Sequence, residues 1–495
     1  MNFEFLELSE LRRLLDAKQV SSVELTKYFL ERIHRFDKEL NAFITITEDQ
    51  ALKEAQRADE FIASAGSNPF LCGIPYVAKD LFNVKGIRTT AASKILDNYI
   101  SPYDATAIAK IKEQYGVLLG KTNLDQFAHG SSGETSAYGA THNAWDKTRM
   151  PGGSSSGSAT AVAAGLAPWA TATETGGSIR QPSSLSGLSG WKPTYGRVSR
   201  YGVIAMASSL DSPGAMAYSV KDLAAIAEVM AGQDEKDSTT GHQAVPEYSK
   251  KLEANIAGLK IGIPKQYFID GMEDGVKQKV LDAIKEFEKL GVKTIEVDLP
   301  NTKYGSLVYA IVCPSEISSN LARYDGVRYG HVTKDAANLL EAYEKSRAEG
   351  FGNEAKRRIL TGTYVLSAGY YDAYYKKAQK IRRLIIDEFA NVFKQVDVLA
   401  CPSTPSVAAK LGAAAENPLH GYIVDQLNIP GSLAGLPALS IPCGFARPSD
   451  GETPSLDGLP VGLQIIGSQW GEQEIFNVGY AYQQVTDWHK KHPTI

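Results

Sequence analysis

The chain has 495 residues, 43% hydrophobic and 22% charged, an ordinary globular composition. Its formal charge at pH 7 is −4 and its basic residues are scattered, which excludes unaided binding of nucleic acid through a basic patch. No run of about 20 apolar residues is present; Pro168 breaks the best candidate, 159–172, and "MNFEFLELSELRRLL" lacks signal-peptide order, so a cytoplasmic protein with no membrane contact is expected.

Residues 1–65 read as helices. "SSVELTKYFLERIHRF" opens with a capping box, Ser21 to Glu24, and puts Leu25, Tyr28, Phe29 and Ile33 on one face. The strand "IPYVA" follows, then the helix "DATAIAKIKEQY" with Asp104 as N-cap and Gly116 as its stop, then the strand "VLLG". "SATAVAAGLA" is a helix of small residues. A strand–helix–strand unit runs through "LKIGIP", "VKQKVLDAIKEFEKLG" and "VKTIEVD", and later strands are "VDVLACP", "ALSIPCG" and "VGLQIIG". Strands rich in Val, Ile and Leu, alternating with helices, imply an α/β fold with a large buried sheet covered on both faces. Length alone suggests about three domains. Large α/β enzymes often form one unit, however, and the best internal linker, "GQDEKDSTTGHQAVPEYS" in the region 232–256, could join two lobes of one domain or mark a real boundary. Cys72, Cys313, Cys401 and Cys443 form no C-x-x-C pair and read as buried free thiols. His489 and His492 share one face of an expected solvated terminal helix without further ligands, so no metal site is expected.

Three motifs compete for the chemistry. "GVLLGKT", 116–122, is one residue short of the phosphate loop G-x-x-x-x-G-K-[ST] and reads as a strand and turn. "GSSSG", 153–157, fits G-x-S-x-G, but the strand required before a nucleophile elbow is missing. It leads instead into a helix N-terminus, where free N–H donors collect. The third, "ETGGSIRQP", sets two glycines before Ser178. Glycine there would let the backbone take conformations other residues avoid, so that N–H groups converge beside the hydroxyl as an oxyanion site. Ser178 needs a base, and Lys79, ending the apolar segment "CGIPYVAK", can serve if burial holds it neutral.

Together "GIPYVAKD", "PGGSSSGSATAVAAG" and "ETGGSIRQPSSLSGLSGWKPTYGRVSRYG" resemble, in order and spacing, the amidase signature family. The resemblance implies that family's fold, a large mixed sheet with helices on both faces, and a Ser–cis-Ser–Lys triad. Lys79 would be the base, Ser154 the bridging cis-serine and Ser178 the nucleophile, with Ser155 supporting the relay and the amides of Thr175, Gly176, Gly177 and Ser178 forming the oxyanion hole. "TNLDQFAHGSSGETSAYG", "LARYDGVRYG" and "GTYVLSAGYYDAYY" are similar to one branch, the glutamine-hydrolysing A subunits of heterotrimeric tRNA-dependent amidotransferases. That likeness implies free glutamine as substrate, Arg358 for its carboxylate, Asp425 for its ammonium and Tyr309 lining the pocket. It also implies the B and C subunits of such a complex as partners. The B subunit would hold ATP, magnesium and Glu-tRNA(Gln), and this chain would hold no cofactor. A stand-alone amidase acting on another small carboxamide is the alternative. The sequence departs from the family pattern at Gln126, His129, Ser156 and Glu174, where glutamate, methionine, glycine and aspartate are usual.

Overall fold

The computed structural model describes residues 2–413, 420–453 and 457–495. The chain begins with α1 (Leu8–Asp16), α2 (Ser22–Leu40), β1 (Phe43–Ile46) and α3 (Glu48–Ser64), followed by β2 (Pro75–Lys79), α4 (Thr106–Glu113) and β3 (Val117–Thr122). The middle holds α5 (Ser156–Ala163), β4 (Trp169–Glu174), α6 (Arg180–Ser186), β5 (Ser189–Lys192), β6 (Ser212–Ala217) and α7 (Val220–Met230). Next come β7 (Lys260–Pro264), α8 (Asp274–Lys289), β8 (Lys293–Val297), α9 (Gly305–Asn320), α10 (Leu339–Gly350), α11 (Asn353–Leu366) and α12 (Lys377–Val392). The last elements are β9 (Val398–Pro402), α13 (His420–Val424), α14 (Ile429–Leu433), β10 (Ala438–Ala446), β11 (Leu459–Gly467) and α15 (Glu472–Val485).

All eleven strands join one mixed sheet in the order β1-β3-β2-β4-β6-β5-β10-β11-β9-β7-β8. Parallel pairs β2–β3, β2–β4, β7–β8 and β7–β9 are combined with antiparallel pairs elsewhere. Successive strand residues point to opposite faces. Since β2, β3, β4, β6, β9 and β11 are buried at every position, both faces of the sheet are covered. "GVLLGKT" is the strand β3, buried at every position, not a phosphate loop.

Several local readings hold and others give way to tertiary contacts. The capping box of α2 is formed, with Glu24 N donating to Ser21 Oγ at 3.1 Å and Ser21 N to Glu24 Oε2 at 2.8 Å. Asp104 does not cap α4. Its carboxylate accepts from Lys85 N and Lys112 Nζ instead, and the N-cap is Ala105. The helix stops at Glu113, and Gly116 is needed because a Cβ there would lie 2.7 Å from the Ile111 side chain. The expected terminal helix is a single turn, Trp488–Lys490, with His489 buried and His492 stacked on Phe5. All four cysteines are buried and free.

One close approach bears on the site. A Cβ on Gly362 of α11 would fall well inside van der Waals contact with the carbonyl oxygen of Pro314 in α9. Glycine therefore lets these helices touch backbone to backbone, and they carry Arg358 and Tyr309 respectively. Gly362→Ala is expected to push them apart and cost about 1–3 kcal/mol. A lowered urea midpoint, with substrate KM raised more than kcat is reduced, is the expected result; an unchanged midpoint would contradict the packing argument.

Candidate active site

β2 lies between β3 and β4, parallel to both, and its last residue is Lys79. The side chain is fully buried. Its Nζ lies 2.8 Å from Ser154 Oγ, 2.8 Å from Ser155 Oγ and 2.9 Å from Thr173 Oγ1. Burial lowers its pKa from 10.5 to about 7, against the raising fields of Asp125, Asp211 and Glu174. A neutral amine has two N–H bonds and one lone pair. Ser155 donates its own proton to Thr173 O at 3.1 Å, so it can only accept from Nζ. With N–H bonds directed at Ser155 and Thr173, the lone pair is left for the Ser154 hydroxyl.

The Gly153–Ser154 peptide is cis. Gly153 N donates to Gln181 Oε1 at 2.8 Å, and Asp125 N to Ser154 O at 3.2 Å. The serine loop is thus tied to α6, which begins just after Ser178. A Cβ on Gly153 would run into the Asp125 carboxylate. Ser156, at the start of α5, is within hydrogen-bond distance of Thr141 Oγ1, 3.1 Å away.

The opposite wall is the turn between β4 and α6. Glu174 ends the strand and Arg180 opens the helix, and the two fully buried side chains pair with each other. The other carboxylate oxygen of Glu174 accepts from Ile179 N and Arg180 N, both at 3.0 Å. Arg180 also donates to Gln464 Oε1 at 2.7 Å, Asn428 O at 2.8 Å and Ser432 Oγ at 2.9 Å. The five residues from Thr175 to Ile179 are therefore looped around one carboxylate. Among the described residues, the amides of Thr175, Gly176, Gly177 and Ser178 donate to no protein acceptor. Ser178 is only 4% exposed, and its hydroxyl has no hydrogen-bond partner among the described residues, Ser154 included.

The reason for the two glycines differs from the expected one. Neither Gly176 nor Gly177 adopts a positive φ. A side chain would clash with a neighbour at Gly177 and fit only tightly at Gly176. A Cβ on Gly176 would lie 3.3 Å from the Tyr309 ring, and one on Gly177 would run into Asp425 Oδ1. The structure thus brings Tyr309 and Asp425 against the residues preceding Ser178.

Arg358 projects from α11 and is buried, with Nε donating to Glu354 Oε1 at 2.7 Å. Its Nη1 and Asp425 Oδ1 are both buried without a hydrogen-bond partner among the described residues. Burial, reinforced by Glu174, raises the Asp425 pKa well above the carboxylate range, while Arg180 and Arg358 oppose this. The site so assembled contains an amine, the four hydroxyls of Ser154, Ser155, Thr173 and Ser178, four free amides, an unpaired guanidinium N–H and an unpaired carboxyl oxygen. Thr173, Gln181 and the Glu174–Arg180 pair escaped sequence reading. The charged residues flanking "TGGSI" were the one visible signal. Among the described residues, no group of three or more His, Cys, Asp or Glu could hold a metal, and no helix is long and apolar enough to cross a membrane.

The amidase family matches residues 24–476. The A subunit of glutamyl-tRNA(Gln) amidotransferase from Nitrosococcus oceani is 52% identical over 486 residues, covering 98% of each chain. The crystal structure of the protein of that name from Thermotoga maritima superposes with a TM-score of 0.79 at 38% identity, covering 98% of this chain and 95% of that one. The peptide amidase of Stenotrophomonas maltophilia gives a TM-score of 0.82 at 31% identity, covering 97% and 96%. With the match running nearly end to end and the same α/β sheet in each solved relative, the chain belongs to the amidase family.

Proposed function

We propose that this chain is the glutamine-hydrolysing component of a heterotrimeric glutamyl-tRNA(Gln) amidotransferase. The observation that carries the reading is the unpartnered Arg358 Nη1 and Asp425 Oδ1, buried in the wall around Ser178. An unpaired buried donor and acceptor of this kind suit the α-carboxylate and α-ammonium of a free amino acid. A stand-alone amidase acting on a simple carboxamide would leave both unused. The full-length relatives, named as A subunits of that enzyme, support the same reading.

The roles follow from the contacts. Neutral Lys79 takes the Ser154 proton, and Ser154 takes the proton of Ser178 as the latter's Oγ adds to the side-chain amide carbon of glutamine. Ser178 must turn toward Ser154 for this step, a hydrogen bond that forms when substrate fills the site. The oxyanion rests on the amides of Thr175, Gly176, Gly177 and Ser178, each donor contributing about 3 kcal/mol. Lys79 returns its proton through Ser154 to the departing nitrogen, and ammonia leaves. Water then attacks the glutamyl ester by the same relay and releases glutamate. Ser155 and Thr173 orient the amine, Arg358 and Asp425 hold the amino-acid end, and Tyr309 closes the pocket. Ammonia passes in the cytoplasm to the B subunit, where ATP and magnesium activate Glu-tRNA(Gln) for conversion to Gln-tRNA(Gln). The C subunit braces the pair. The chain works as one amidase unit over 1–495.

Two outcomes test this. Ser178→Ala in the assembled complex should reduce glutamine-dependent transamidation by at least about 10³-fold while free ammonia still supports it; retained glutamine use would remove Ser178 as nucleophile. The pH profile of kcat/KM tests Lys79, whose lowered pKa of about 7 leaves it protonated and inactive in acid. The rate should rise tenfold per unit toward pH 7 and flatten above it. A profile flat down to pH 5 would exclude the lysine as base.

A further inference from the structure

His129 lies in the turn after a short helical segment, Gln126–Ala128, and is fully buried. Neither ring nitrogen has a hydrogen-bond partner among the described residues. A buried imidazole with both nitrogens idle costs stability unless something outside the chain uses them.

The position of the turn identifies that use. Gln126 accepts from Gly352 N at 2.8 Å, which anchors the turn to the start of α11, and Phe127 packs 5.6 Å from Phe351. Further along that helix is Arg358, whose Nη1 is also unpartnered. On the other side, Ser131 O accepts from Gln181 Nε2 at 2.9 Å, so the turn also meets the helix that follows Ser178. A Cβ on Gly421 would lie 2.9 Å from Ser131 Oγ, which brings in the segment carrying Asp425. The turn therefore touches the start of α11, α6 and the segment that carries Asp425.

We propose that His129 is a further substrate-binding residue, donating a ring N–H to the α-carboxylate of the bound amino acid beside Arg358. This rests on the glutaminase reading and deepens it. Burial and the fields of Arg358 and Arg357 keep the ring neutral, with one donor and one acceptor. The donor serves the carboxylate, which then has two partners instead of one. The acceptor nitrogen restricts what can stand next to it to a group bearing hydrogen.

The test is steady-state glutamine hydrolysis by the assembled complex. His129→Leu is expected to raise KM for glutamine about 10- to 100-fold while kcat stays within about threefold. His129→Gln, whose amide can still donate, should restore KM to within about threefold of the parent. An unchanged KM in His129→Leu overturns the inference. So does a joint fall in kcat and rise in KM that His129→Gln fails to rescue, since that marks a packing role. A parent complex that does not hydrolyse glutamine refutes the glutaminase reading, and this inference with it; a parent that does, with His129→Leu indistinguishable from it, refutes this inference alone.

Discussion

The buried pair Glu174–Arg180 is the constraint on which the site depends. Two charges with no solvent exposure are tolerable only when almost every hydrogen-bonding group on them is used, and here they are. Glu174 takes two backbone amides besides the guanidinium. Arg180 reaches the Asn428 carbonyl, the Ser432 hydroxyl and Gln464 in β11. One ion pair thereby joins the end of β4, the start of α6, the α14 region and a central strand. Glu174 takes the amides of Ile179 and Arg180, while those of Thr175 to Ser178 have no acceptor among the described residues. Removing either partner would strand the other charge, a change that typically costs about 3–5 kcal/mol.

The same economy governs the lysine. Asp125, Asp211 and Glu174 all pull the Lys79 pKa upward, yet none of them hydrogen-bonds to it. Each carboxylate is held elsewhere. Asp125 takes the amides of Gly133 and Thr135, Asp211 takes Thr175 Oγ1 and the amides of Met206 and Ala207, and Glu174 takes Arg180. Lys121, equally buried, does pair directly, with Asp80 at 2.6 Å, and burial lowers its pKa as well, against the raising field of that carboxylate.

Glycine acts here through space more than through dihedral freedom. Gly153, Gly177 and Gly362 stand where a side chain would collide with Asp125, Asp425 or the backbone of α9, and Gly176 where one would fit only tightly against Tyr309. None of the four has a positive φ. Segments distant in sequence can therefore pack closely against one another at these positions.

The sequence alone located β2, β3 and β7 to β11 and the helices α2, α4, α5 and α8, because runs of Val, Ile and Leu and the Ser21–Glu24 capping box are local signals; it missed β4, β5 and β6, and β1 lies inside a stretch it read as helical. The resemblance to the amidase signature family singled out Lys79, Ser154 and Ser178, and the structure places Lys79 Nζ against Ser154 Oγ while the Ser178 hydroxyl has no partner among the described residues. Tertiary structure decided what no local pattern encodes. Asp104 is drawn off its helix cap by Lys85 and Lys112, and the glycines before Ser178 answer to Tyr309 and Asp425 instead of to a left-handed turn. Glu174 and Arg180 are neighbours in the sequence, but their value lies in Asn428, Ser432 and Gln464, which only folding brings near. The idle nitrogens of His129 and the unpaired atoms of Arg358 and Asp425 are likewise invisible in one dimension, because burial and hydrogen-bond satisfaction are properties of packed neighbours and not of residue type.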